Sequence, residues 1–174
     1  VDNIGINGEG VARHNGKAIF IKNALPGEKV RAKIIFSKPS FCYAIVTERF
    51  ADSLDRTAPA CPLFLKCGGC NLQHLNYDKQ LQYKTQLVKD TLERVGKIDA
   101  KVDETVASDR IFRYRNKMSL PVREDKNAIK IGLYASNSHR VVECEDCLLQ
   151  PTWNKKLISL LKSFIKENNL TCYN

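Results

Sequence analysis

The chain has 174 residues and a net charge of +9, from 28 Lys and Arg against 19 Asp and Glu. That length can bury a real core and hold one or two domains. No apolar run approaches the roughly 20 residues that span a bilayer and no signal peptide opens the chain, so it reads as a cytoplasmic monomer without a membrane span; the basic balance favours a polyanionic partner, nucleic acid first, although it also serves plain solubility. Seven cysteines in a reducing compartment argue for metal or redox chemistry over a disulfide framework. The chain lacks an initiating Met and closes on NNLTCYN just after a helical run, which reads as a piece of a longer protein.

Residues 1–50 read as short strands separated by turns. Asn15-Gly16 is a hairpin signal between VARH and KAIFI. Ala24-Leu25-Pro26-Gly27-Glu28 marks a second turn, because Pro presets φ and Gly permits a positive one. Val30, Ala32, Ile34 and Phe36 alternate with polar positions that include Lys29, Arg31 and Lys33, predicting one buried and one basic face. Tyr43 to Phe50 closes the sheet. Short, evenly spaced strands fit a small closed barrel of the oligonucleotide-binding kind, or any small β-barrel with a basic outside. The polar connector ADSLDRTAPA places a domain boundary near 52/53.

Cys61, Cys67 and Cys70 follow as Cys-x5-Cys-x2-Cys, with Gly68 and Gly69 inside the tight pair. Two four-thiolate sets are open at this point. Cys67-x2-Cys70 with Cys144-x2-Cys147 has the look of a zinc ribbon. Cys61, Cys67 and Cys70 with one distant cysteine fits a [4Fe–4S] cluster. Cys42 and Cys172 stand alone as ordinary semi-buried thiols. His74 is expected to pack against the cysteine loop and not to ligate.

Tyr77 to about Val95 has helical spacing, with Leu81, Val88, Leu92 and Val95 on one face, Asn76 or Asp78 as cap and Gly96 as terminator. KMSLPV, AIKIGLY and RVVEC then read as three strands of a meander, with turns at 124–127 and 135–138. Before them, 110–117 holds four basic residues, two aromatics and no acid. Arg113, Arg115 and Lys117 alternate there, with Asn116 between them, as phosphate-binding groups on one face of an extended segment. Basic groups with interleaved rings suit unpaired RNA; a charged strand edge has the same look. Leu149 to Leu170 is a second amphipathic helix whose stripe, Trp153, Leu157, Leu160, Leu161, Phe164 and Ile165, is expected in the core. The fold class is thus mainly β with α+β: a barrel over 1–52, and over 53–174 an antiparallel sheet, two helices and a cysteine-ligated cluster.

Together these stretches resemble a family. CGGCNLQHLNYDKQLQYK is similar to the cluster motif of RumA-type 23S ribosomal RNA uracil-5-methyltransferases. GEGVAR, NGKAIFI and ALPGEKV resemble their N-terminal TRAM domain, and FRYRNKMSLPV, IGLY and SHRVVECEDC their central RNA-binding domain. The resemblance implies [4Fe–4S] ligands at Cys61, Cys67, Cys70 and Cys147. Cys144 is a departure and keeps zinc open. It also implies that the S-adenosylmethionine pocket and catalytic nucleophile belong to a C-terminal methyltransferase domain whose motifs are absent here. The chain would then be the RNA-recognition half of such an enzyme, inactive alone. The alternative is a freestanding RNA-binding iron–sulfur or zinc protein.

Overall fold

Turn chemistry sets the register of the first sheet. In the computed structural model, which describes residues 1–125 and 128–172, Asn15 and Gly16 have φ of 49° and 76°. Two successive positive φ values make the two-residue turn whose twist matches the flanking strands. It joins β2 (Gly10–His14) to β3 (Lys17–Lys22), with His14 opposite Lys17. Gly27, at φ 82° behind Pro26, completes the second expected turn, closed by the Glu28 N–H donating to the Leu25 carbonyl at 3.2 Å. β4 (Lys29–Ser37) and β5 (Phe41–Ala51) follow, and β1 (Asn3–Ile4) pairs with β2. The order is β1-β2-β3-β5-β4, antiparallel except for the parallel β3–β5 pair. Beside the two outer strands, the Val1 amino group donates to the Glu28 carbonyl and the Gly27 N–H to the Val1 carbonyl, both at 3.0 Å. These bonds tie the residue before β1 to the turn before β4; the closed barrel expected from the strand spacing would need β1 and β4 paired, and among the described residues they end the sheet order unpaired with each other.

The inward side of this sheet is small. Ile21, Ala24 and Ala44 are buried, with Val1, Ala12, Ile19, Val30, Ala32 and Val46 packed against them. The predicted alternation of β4 holds for Val30 and Ala32 only. Ile34 still lies opposite buried Ala44 but is left uncovered, and a bulge between Ile34 and Phe36 sets Phe36 opposite outward Tyr43. Ile34 and Phe36, expected inside, are 53% and 46% exposed.

By packing, the chain forms two units, and neither is continuous. One comprises Val1–Pro59 with Asn71–Ala107, and the other Ala60–Cys70 with Ser108–Asn174. The motif-based boundary at 52/53 follows sequence, whereas this division follows contacts: residues 71–107 pack with the barrel. The reasons are specific. The Thr57 N–H donates to the His74 carbonyl and the Asn76 N–H to the Asp55 carbonyl, both at 2.9 Å, and the Tyr83 hydroxyl reaches the Gly5 carbonyl at 2.7 Å. Beneath them lies a buried ion network. Glu28 accepts from Arg56, and Arg49 joins at 3.2 Å. Burial alone would raise the Glu28 carboxyl, but the Arg56 hydrogen bond and charge and the Leu25 and Ser53 N–H groups outweigh it, so its pKa is lowered.

α1 (Tyr77–Asp90) starts as expected: the Asn76 carboxamide oxygen accepts from the Asp78 N–H at 2.9 Å. It widens into a π-helical turn over Thr91–Gly96, and the left-handed stop falls on Lys97, φ 54°, one residue beyond the expected Gly96. Its expected apolar face is not core. α1 buries no residue, and Val88 and Val95 are 48% and 79% exposed.

In the second unit β6 (Val122–Asp125), β7 (Ala128–Tyr134) and β8 (Val141–Glu143) form the expected antiparallel meander. KMSLPV is mostly outside it; the first strand begins at Val122. Glu124 and Asp125 are strand residues, and the remainder of that expected turn, Lys126 and Asn127, lies outside the described residues. The turn at 135–138 is present, with the Ser138 N–H donating to Ala135 at 3.1 Å. Gly132 lets β7 and β8 close: a Cβ there would lie 1.9 Å from the Val142 carbonyl oxygen. α2 (Asn154–Glu167) buries Asn154 and Ile158. The stripe expected in the core is outside it: Trp153, Leu160 and Phe164 are 59%, 67% and 57% exposed.

Candidate cysteine site and nucleic-acid interface

The cysteine loop belongs to the second unit together with the β7–β8 hairpin. Hydrogen bonds from the Phe64 N–H to Cys61 and from the Cys67 N–H to Leu63 wind residues 61–67 into tight turns. Cys67 then bridges to Ala135, and the Gly68 N–H donates to the Tyr134 carbonyl at 2.9 Å. Gly68 is required by proximity and not by a positive φ: a Cβ there would sit 3.0 Å from the Ser136 Cα. The Gly69 N–H points at the Cys67 sulfur, 3.2 Å away.

This arrangement gathers thiols from both ends of the unit. Cys61, Cys67, Cys70 and Cys147 are half-buried, and Cys144 is buried. The Cys147 thiol is pushed well below its ordinary value, first by its hydrogen bond with Cys144 and then by the Leu149 and Gln150 N–H groups and the Arg115 charge, against the cost of burial. Cys144, as the donor, is pushed up by the same bond and by burial. Burial also raises Cys67, whose remaining influences include the charges of Cys147 and Cys61. Cys144, a ligand in the zinc-ribbon spacing but without a role in the family resemblance, is therefore a direct neighbour of Cys147. Among the described residues, no group of three or more Cys, His, Asp or Glu side chains has the geometry of a metal site. The donor chemistry nevertheless fits a thiophilic centre: cysteines on the loop and beside β8, with backbone N–H groups turned toward sulfur. Cys42 is buried at the Ser37 hydroxyl and Cys172 is half-buried outside this group. His74 does not pack with the cysteine loop as expected: it is fully buried in the first unit, beside Arg56, Glu28 and the Ala24 backbone, whereas the loop belongs to the second.

The basic octet is placed differently from its predicted alternation. Residues 114–120 form no strand, and Arg113 has φ 59°. Its guanidinium grips both Asp146 carboxylate oxygens, at 2.6 and 2.8 Å, and the Cys147 and Gln150 carbonyls at 3.1 and 3.0 Å. Arg113 thus spends its fork on the loop that carries Cys147, and it holds the Asp146 carboxyl below the usual range. Arg115, Asn116 and Lys117 are exposed, while the Arg115 N–H and the Lys117 carbonyl tie this segment to Leu149 and Gln150. On the barrel, Lys29, Arg31 and Lys33 all point outward between Val30 and Ala32. Arg31 pairs with Glu48 and lies 5.2 Å above the Phe50 ring. The periodicity of the strands left one group unremarked: Phe20, Phe36, Phe41 and Tyr43, whose rings adjoin on the outer face. Its signal was parity, since Phe20 and Tyr43 alternate with inward Ile19, Ile21 and Ala44.

Comparison with known proteins bears on both regions. Residues 1–47 match the TRAM domain family, so the chain carries a TRAM domain. Over its whole length it is homologous to proteins named RNA methyltransferases. It is 41% identical to an uncharacterized RNA methyltransferase of Clostridium acetobutylicum over 100% of this chain, and 39% identical to one of Halalkalibacterium halodurans over 99%. The chain spans 38% of the length of each. Among solved structures it is similar to the Pyrococcus abyssi tRNA (uracil-54, C5)-methyltransferase in complex with S-adenosyl-L-homocysteine, with a TM-score of 0.62, 26% identity, and coverage of 98% of this chain and 39% of that one. The kinship to RNA methyltransferases read from the motifs is borne out. No helix among the described residues is long and apolar enough to cross a membrane.

Proposed function

We propose that this chain is the RNA-recognition portion of a cytoplasmic, S-adenosylmethionine-dependent RNA uracil-C5 methyltransferase. The observation that carries this reading is kinship to RNA methyltransferases over the whole of this chain, combined with similarity to a solved tRNA (uracil-54, C5)-methyltransferase. Methyl transfer is assigned to the part of the relatives that this chain does not span, and the chain alone is expected to be inactive. The TRAM barrel contributes sequence-tolerant affinity through Lys29, Arg31 and Lys33. Arg115, Asn116 and Lys117 present a second basic edge, and Arg113 positions it. Splaying a uracil out of its loop then lets the chemistry reach C5. Cys61, Cys67, Cys70 and Cys147 are proposed to hold a [4Fe–4S] cluster that clips the cysteine loop to the segment after β8. Uracil methylation needs no electron, so the cluster's role is structural.

Ribosomal RNA is the target implied by the motif resemblance, and the solved neighbour favours transfer RNA as a second reading. Binding of the whole chain to labelled 23S fragments and to transfer RNA stem-loops, at matched salt, separates them. Tighter binding to one class assigns the target, and affinity for neither removes the RNA reading. Incubation with labelled S-adenosylmethionine should transfer no label to either RNA; transfer by this chain alone would overturn the division of labour.

A further inference from the structure

The barrel carries its largest rings on the wrong side for a core. None of Phe20, Phe36, Phe41 and Tyr43 belongs to the inner cluster around Ile21, Ala24 and Ala44. Register explains the placement. Phe20 lies directly opposite Tyr43 across the parallel β3–β5 pair, and the β4 bulge sets Phe36 against Tyr43 from the other side. Three adjacent strands thus bring four rings together, with centroids 5.5 Å apart for Phe20–Tyr43 and Phe41–Tyr43, and 6.1 Å for Phe36–Tyr43. Phe36 and Tyr43 remain 46% and 42% exposed, so part of this ring surface stays open.

The charges around the patch are of one sign. The Lys38 ammonium stands 5.9 Å from the Phe36 ring and 5.8 Å from the Phe41 ring. From Gly10 to Thr47 the sequence has seven Lys and Arg and a single acid, Glu28. That acid is buried beneath Arg49 and Arg56 and offers nothing to the surface. Cross-strand aromatic pairing stabilises a sheet face without a cation. Open rings flanked only by cations are complementary to a ligand that is flat, apolar on its faces and anionic along its backbone. Single-stranded nucleic acid has all three properties.

We propose that the outer face of β3, β5 and β4 is a stacking platform for unpaired bases of single-stranded RNA, with Phe36 and Tyr43 under the bases and Lys38 at an adjoining phosphate. This rests on the RNA-binding reading above and adds to it a site that reads bases as planes, distinct from the phosphate contacts of Lys29 and Lys33.

The test compares the whole chain's affinity for a short oligouridylate with that for an abasic ribose-phosphate of equal length and charge. Each stacked base is worth about a fivefold to hundredfold gain, so the base-bearing strand should bind at least about fivefold tighter. The double variant Phe36→Ser/Tyr43→Ser should lose that preference while keeping the salt slope, because no phosphate contact is removed. Tyr43→Phe should keep it. Equal wild-type affinity for the two strands overturns the platform and leaves phosphate-mediated RNA binding intact. Retention of the preference in the double variant also overturns it. Affinity for neither strand overturns the RNA reading and the platform together, and would turn this face toward a protein partner.

Discussion

His74 makes the stability of the first unit depend on pH in a defined window. It is 1% exposed, and burial, followed by the Arg56 charge, pushes its pKa from 6.5 down to about 4. Glu28 and a hydrogen bond to the Ala24 backbone pull the other way, and Arg49 adds to the depression. In the unfolded chain the imidazole takes its proton near 6.5, whereas in the folded chain it stays neutral until about 4. The unfolded state therefore binds more protons between these values, and stability falls as pH drops through them. From the ratio of proton-binding factors for 6.5 and 4, moving from pH 7 to pH 5 costs about 2 kcal/mol. The melting temperature of a unit of about a hundred residues would move by about 8–16 °C for that loss. The assay is thermal or urea unfolding of wild type and His74→Gln at both pH values. The variant begins lower, having lost packing, but should show a loss smaller by that amount. Glu28 is common to both proteins and titrates in a more acid window, so the difference isolates the imidazole. Parallel stability curves for the two proteins between pH 7 and pH 5 would refute the argument.

Replacing Lys29, Arg31 and Lys33 together with Ala should weaken RNA binding and flatten log affinity against log salt by up to about two units, at about 0.7 per lost contact; Arg31 is already paired with Glu48, so it contributes least. Arg113→Ala should lower the melting temperature of the second unit and loosen the Cys147 loop, and Arg113→Lys should not restore either, because a point charge cannot span both Asp146 oxygens. Gly132→Ala drives a methyl into the Val142 carbonyl and should destabilise the meander by about 1–3 kcal/mol or more, measured by denaturant unfolding. Protein prepared without oxygen should be brown; Cys61→Ser should abolish the absorbance near roughly 400 nm and Cys144→Ser should preserve it. The reverse result would instead establish the two Cys-x2-Cys pairs.

Where a local rule decides the backbone, the sequence was legible. Asn15-Gly16, Pro26-Gly27 and the Asn76 cap each fix a few dihedrals by their own chemistry, and each is found where the residues place it. Where tertiary packing decides, periodicity misled. The β4 pattern announces neither the bulge that turns Phe36 outward nor the end of the core at Ala32, which leaves Ile34 uncovered. The stripes of α1 and α2 were read as buried because helical spacing specifies a face and says nothing of what covers it. Arg113 shows the same limit at the site. Its neighbours in sequence made it a phosphate ligand, yet Asp146, 33 residues away, takes its guanidinium. Cys144 lay outside the motif but inside the site, because a thiol three residues before Cys147 meets it in space.

The division into units has a topological consequence. The backbone passes from one unit to the other at 59/60, 70/71 and 107/108. No single cut yields both units whole. A product ending at Ala107 would keep the first unit, with residues 60–70 as an insertion whose partners are gone. It would also carry Cys61, Cys67 and Cys70 but neither Cys144 nor Cys147. During synthesis the same geometry imposes an order. Residues 60–70 leave the ribosome before their hairpin exists and wait for more than sixty further residues, while 71–107 can already close on the barrel. Any metal or oxidant that meets the nascent chain in that interval finds three thiols ahead of the hairpin they pack with, which makes completion of the meander the step that shelters them.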